Sequence, residues 1–152
     1  MIEFSGTLSK NCKKYIIKRA RKISLIGSSL VSFIFLIPSI ILTCNNLIYL
    51  MFVIVLIMFP LFSFFPLSDK SLQYLIPEKI EISNDIIISK GKKYEFAREI
   101  SSVKKIIDFG DWYHIFFIYP DRSENFICQK SLIVKGTIEE FETMFGDKIV
   151  RK

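Results

Sequence analysis

The sequence predicts a membrane protein, a two-helix transmembrane hairpin followed by a small α+β cytoplasmic domain, and three observations carry that reading. Residues 23–44 and 47–67 are hydrophobic stretches without a charged side chain, separated only by Asn45 and Asn46. Each supplies about the 20 residues that a helix needs to cross a bilayer. From residue 77 onward the chain changes to short strand-like runs broken by turn residues, and one segment of helical period follows near the end.

Residues 1–22 come first, a basic segment with a short strand-like start at residues 4–8. They hold seven basic side chains against one acidic one, Glu3, whereas residues 68–152 balance fourteen against fourteen. The net charge of +6 therefore lies wholly before the first span. Basic residues beside a membrane end stay in the cytoplasm, so the amino terminus is expected there and two spans return residues 68–152 to the same side. The localisation that follows is a cell membrane, multi-pass, with both termini cytoplasmic; the Ile, Phe, Lys and Asn-rich composition fits a low-GC bacterial gene. The basic excess marks topology, with about 1 kcal/mol of attraction to anionic lipid per residue, and no nucleic-acid partner is expected.

The second stretch has fifteen Leu, Ile, Val or Phe residues in twenty-one positions, worth roughly 4–9 kcal/mol of insertion. The first has thirteen in twenty-two, diluted by five serines and Gly27. Pro38 and Pro60 would kink these helices, which spanning helices tolerate. A cleaved signal peptide is a poor fit, because its apolar region runs about 7–15 residues and Leu42-Thr43 before Cys44 lacks the small residues of a lipoprotein site. Ser24, Ser28 and Ser32 share one helix face with Gly27 alongside, the small-residue spacing that lets helix backbones approach. The partner of that face is either the second span or a second copy of the chain. Neither span contains an ionisable residue, which argues against a channel or transporter acting alone.

Residues 68–76 read as a connector and residues 77–152 as the cytoplasmic domain. Residues 79–83 alternate through Ile80 and Ile82, Asn84-Asp85 makes a tight turn, and residues 86–89 are β-branched. Lys90-Gly91-Lys92-Lys93 is a turn into a strand at 94–98. Longer strands follow at 102–109 and 112–119, the latter apolar at nearly every position and so covered on both faces. A polar turn at 120–124 and a strand at 125–130 precede the helix. Thr137 and Glu140 form a capping box, Ile138, Phe141, Met144 and Phe145 share a face, and Gly146 ends the helix. About 75 residues is close to the lower limit for an independent core. Packing against the hairpin, or pairing with residues 2–8, would complete it.

The order of a strand-like start, a basic stretch, a membrane hairpin, strands and one helix resembles the YcxB-like family of small bacterial membrane proteins. The stretches that carry the likeness are residues 77–85, 94–103 and 136–145. The resemblance implies a pleckstrin-homology-like (PH-like) carboxy-terminal domain, a bent sheet or barrel with a helix at one end, and no established chemistry. Such proteins often have a tryptophan where this chain has Phe96-Ala97-Arg98; its only tryptophan is Trp112.

No catalytic constellation is present in the sequence. His114 is the lone histidine, and a base needs a nucleophile and an orienting partner; Asp108 and Asp111 nearby are explained by a hairpin turn. Cys12, Cys44 and Cys128 show no metal-ligand spacing and stay reduced in a cytoplasmic setting; Cys12, near the membrane surface, is either an acylation site or a free structural thiol. No metal or cofactor is expected. Lys90, Gly91, Lys92 and Lys93 are the ligand-binding candidate, because the resemblance implies a basic hairpin loop able to hold a phosphorylated headgroup; a solvated turn is the plainer reading. The edges at residues 94–98 and 125–130 could accept a partner's extended segment. The expected function is a non-enzymatic adaptor tethered at the bilayer, its partner another protein or a homo-oligomer. The alternative is an immunity-type or accessory subunit acting through its helices on another membrane protein.

Overall fold

The computed structural model describes residues 1–45, 50–64, 75–118 and 126–151. They belong to two compact units, one made of Met1–Ile16 with Gln73–Lys152 and one of Ile17–Leu72. The expected turn at Asn46, the ends of the second apolar stretch (47–49 and 65–67), the connector at 68–74 and the polar turn at 120–124 lie outside the described residues.

Helix α1 (Lys10–Asn45) is 36 residues long. Ser9 starts it, its hydroxyl accepting from the Cys12 N–H at 3.3 Å and its carbonyl from the Lys13 N–H at 3.0 Å, as an N-cap residue does. The basic residues 10–22 form its first turns. Lys10–Leu42 is long and apolar enough to cross a membrane, with a mean hydropathy of 2.3 over its richest window. Helix α2 (Leu50–Phe64) has 15 residues, about 22 Å of rise, less than the roughly 30 Å of a bilayer core. One helix of spanning length, α1, is thus present among the described residues, and both ends of the second expected span, 47–49 and 65–67, lie outside them. Within α1, Ser24 and Ser28 are half-buried and Ser32 is 8% exposed, so the serine face is the least exposed one. Gly27 is exposed with nothing within 4 Å of a side chain added there, and does not share that burial.

The other unit is a two-sheet α+β fold. Strands β1 (Ile2–Ser5), β2 (Lys79–Ile82), β3 (Ile86–Gly91), β4 (Tyr94–Glu99) and β8 (Ile133–Lys135) form a five-stranded antiparallel sheet in the order β4-β3-β2-β1-β8. Strands β5 (Val103–Asp108), β6 (Trp112–Phe117), β7 (Ile127–Gln129) and β9 (Ile149–Arg151) form a second sheet in the order β7-β6-β5-β9, in which β9 pairs parallel to β5. That edge is the parallel pair in a domain whose other strand pairs are antiparallel. Helix α3 (Ile138–Phe145) carries the reciprocal Thr137–Glu140 capping box, a device worth about 1 kcal/mol. Phe141 and Phe145 of α3 join Ile2, Phe4, Ile80, Ile82 and Ile87 from the first sheet and Val103, Ile106, Tyr113 and Ile115 from the second in one buried core.

The amino-terminal strand is internal to its sheet. Ile2, Glu3, Phe4 and Ser5 pair with Ile82, Glu81, Ile80 and Lys79, and Glu3 and Phe4 pair with β8 on the other side. The strand-like start expected at residues 4–8 is shifted to Ile2–Ser5 because Gly6, at φ 137°, turns the chain out of the sheet. Leu8, Cys12 and Ile16 then pack with Ile127 in a second buried cluster, flanked by Tyr15, Leu75, Ile76, Trp112 and Leu132. Strand β6 is covered on both sides as its apolar run requires, with Tyr113, Ile115 and Phe117 in the core and His114 buried against Tyr15.

Candidate functional site

Strands β3 and β4 meet at a two-residue turn, Lys92-Lys93, flanked by the Gly91–Tyr94 pair. Lys90 and Gly91, expected in the turn, are therefore strand residues. Gly91 is required there because a Cβ would collide with the Tyr94 ring, which lies across it; an aromatic side chain opposite a strand glycine restores the lost packing.

The basic side chains of this hairpin are committed to carboxylates. Lys90 Nζ lies 3.4 Å from Glu81 and 3.3 Å from Glu95, and Lys92 Nζ 3.9 Å from Glu78. The first two contacts end a ladder that crosses all five strands. Lys135 and Lys79 flank Glu3 at 3.3 and 3.0 Å, and Lys79 also reaches Glu81 at 2.6 Å. Three lysines thus alternate with three glutamates on the outer face of the sheet and leave no surplus charge. Of the predicted group, Lys93 is an exposed lysine in the turn, and an anion at the hairpin would compete with Glu81 and Glu95 for Lys90.

The ladder sets a pH dependence. Lys79 holds Glu3 and Glu81 below the usual carboxylate value of 4.5, while Glu81 raises Lys79 and Glu95 raises Lys90 above 10.5. Depressed carboxylates contribute stability that is lost as pH falls through their folded values. Raised lysines contribute stability that is lost as pH rises through theirs. The contribution is full between pH 4.5 and 10.5 and modest in size, since solvent screens exposed pairs. Urea unfolding followed by Trp112 fluorescence should show the midpoint dropping more steeply from about pH 6 to about pH 3 in the wild type than in Glu81→Gln. Equal slopes would remove the ladder as the cause.

His114 is fully buried, its Nδ1 2.9 Å from Tyr15 Oη and its ring 4.1 Å from that of Phe116. Asp108 does not orient it: that carboxylate accepts from Lys130 Nζ at 3.0 Å and from the Gly110 N–H at 2.8 Å. The histidine joins the start of α1 to β6, an internal tie remote from solvent. Cys12 and Cys128 are buried free thiols. Burial pushes Cys12 up to about 12 and raises Cys128 further, which makes both poor nucleophiles; Cys12, 0% exposed, cannot receive an acyl chain without local opening. Among the described residues no group of His, Cys, Asp and Glu could hold a metal ion.

The sheet edges remain. The first sheet ends at β4, with Glu95, Phe96, Ala97 and Glu99 exposed, and at the shorter β8, with Val134 exposed. The second ends at β7 and β9. The strands expected at 94–98 and 125–130 as edges, β4 and β7, are end strands of their sheets. Comparison of the chain with protein-family models, curated proteins and solved structures finds no match.

Proposed function

We propose that this protein is an integral membrane adaptor of a bacterial cell: residues 23–44 and 47–67 cross the membrane as a hairpin, and the two-sheet unit is a cytoplasmic interaction module held at its surface. The observation that carries the reading is the place of β1. It precedes the apolar region, yet it pairs with β2 and β8, which follow it. A folded sheet cannot be threaded through a bilayer, so residues 1–16 and 73–152 occupy one side, and an inserted segment between them crosses an even number of times. The two charge-free stretches and the seven basic residues before the first support two crossings and a cytoplasmic module, and α1 supplies one helix of spanning length. Two sheets with a closing helix are compatible with the PH-like architecture that the YcxB-like resemblance implies. An adaptor without enzymatic chemistry accords with the burial of His114, Cys12 and Cys128.

The second reading is an immunity-type or accessory subunit that acts through the apolar helices on another membrane protein.

Two measurements test these readings. An impermeant maleimide on intact cells should label Asn46→Cys and should reach Glu139→Cys, on the exposed face of α3, only after permeabilisation; labelling at position 139 from outside overturns the orientation. Replacing residues 17–72 with an unrelated two-span hairpin keeps β1 and the first turns of α1. Photocrosslinks from the sheet unit to its partner should survive this exchange if the protein is an adaptor, and vanish if the native helices do the binding.

A further inference from the structure

The outer edge of β4 has a self-complementary sequence. Because Gly91 and Tyr94 close the β3–β4 hairpin, the hydrogen-bonded pairs with β3 involve Tyr94, Phe96 and Arg98. The N–H and C=O groups of Glu95, Ala97 and Glu99 therefore point away from the sheet. The Glu99 carbonyl accepts from Ser102 Oγ at 2.7 Å and the Ala97 carbonyl from Arg98 Nη1 at 2.8 Å. The outward groups of Glu95 and the outward N–H groups of Ala97 and Glu99 have no backbone partner among the described residues. Phe96 is 40% exposed and stacks on Tyr94 with ring centroids 5.0 Å apart.

We propose that two copies of this chain pair antiparallel through the outer edges of β4, with Phe96 opposite its own counterpart, so that the two five-stranded sheets become one continuous sheet. Symmetry and charge favour this register over those centred on Glu95, Ala97 or Arg98. Adjacent cross-strand pairs alternate between hydrogen-bonded and non-hydrogen-bonded types, so a two-fold pair must centre on one residue facing itself. Centring on Ala97 sets Glu95 against Glu99 of the second copy, twice. Centring on Arg98 opposes two guanidinium groups, and a hydrogen-bonded pair at Glu95 opposes two carboxylates. Like charges placed directly opposite are destabilising. Centring on Phe96 avoids all three conflicts. It sets Lys93 against Glu99, Tyr94 against Arg98 and Glu95 against Ala97 of the second copy, each twice.

The central contacts follow from that register. The Glu95 and Ala97 backbones exchange hydrogen bonds with Ala97 and Glu95 of the second copy, on the groups that point outward in each. The Ala97 carbonyl has two lone pairs, so it accepts from Glu95 N–H of the second copy while keeping its bond from Arg98 Nη1. Phe96 meets Phe96 at a non-hydrogen-bonded position, the closer of the two pair geometries. Charge complementarity between Lys93 and Glu99 identifies the occupant as a second copy rather than an unrelated extended peptide.

The test uses the full chain purified in detergent micelles at micromolar concentration, with Cys44→Ser to remove that thiol. Under mild oxidation Phe96→Cys is expected to form a disulfide-linked dimer nearly to completion, and Ala97→Cys at least tenfold less. Ala97→Pro removes an outward N–H that the monomer does not use, and proline is tolerated on edge strands, so it should leave the fold intact while weakening the dimer by tenfold or more. Glu99→Lys should weaken association by about tenfold, and adding Lys93→Glu to it should restore the wild-type dimer, a rescue that a folding defect would not show. A chain that stays monomeric, a dimer indifferent to Ala97→Pro, crosslinking at position 97 in preference to 96, or crosslinks at 96 only to a different protein would each overturn the proposal.

Discussion

A chain lacking residues 1–8 is expected to lose the two-sheet unit altogether. Ile2 and Phe4 are 1% and 3% exposed and Leu8 5%. Burying three such side chains is worth about 1.5–3 kcal/mol each, together comparable with the roughly 5–15 kcal/mol that holds a domain of this size. The backbone loss compounds this, because β2 and β8 both pair with β1 and would face each other across an empty strand position. The shortened chain should show no cooperative change in Trp112 fluorescence on urea addition, and protease should cut throughout residues 75–151. A native-like transition in that chain would mean the strand is dispensable.

Phe141→Ala is expected to cost about 3–5 kcal/mol, the range for deleting a buried phenylalanine. Phe141 is 0% exposed and lies at the centre of the core, with ring centroids 4.6 Å from Tyr113, 4.9 Å from Phe145 and 5.8 Å from Phe4. Its removal takes away α3's ring contacts with Phe4 of the first sheet and Tyr113 of the second. Tyr113 is doubly fixed, since its hydroxyl donates to Glu142 of α3 at 2.6 Å, so it cannot easily swing into the vacated space. Met144→Ala, one turn along and 37% exposed, should cost under about 1 kcal/mol. The difference between the two midpoints in urea measures the core contact; near-equal values would place the core elsewhere.

Local chemistry is what the sequence makes legible. The Thr137–Glu140 box, the apolar face of α3 apart from the exposed Met144, the Asn84-Asp85 turn and the doubly covered β6 rest on neighbours within a few positions, and the structure has each of them where the spacing puts it. The three-residue strands β8 and β9 are too short to show a period. Their place follows from long-range partners: Glu3 and Phe4 for β8, and Ile106 to Asp108 for β9. The same holds for the lysines. Lys90 looks like a turn residue because its neighbours are Gly91 and Lys92, and its carboxylates, Glu81 and Glu95, lie on two other strands. Composition finds the apolar region in the sequence, and among the described residues α1 has spanning length.

The internal position of β1 also imposes an order in time. A ribosome adding about 5–20 residues per second makes β1 first and reaches β8, at Ile133–Lys135, some 6 to 26 seconds later. Strand β2, at Lys79–Ile82, is made after about 4 to 15 seconds, so for the rest of that interval β1 has one of its two neighbours and Ile2 and Phe4 have only part of their core. The whole apolar segment is therefore made before the five-stranded sheet can close, and β1 waits for a neighbour more than a hundred residues further along the chain.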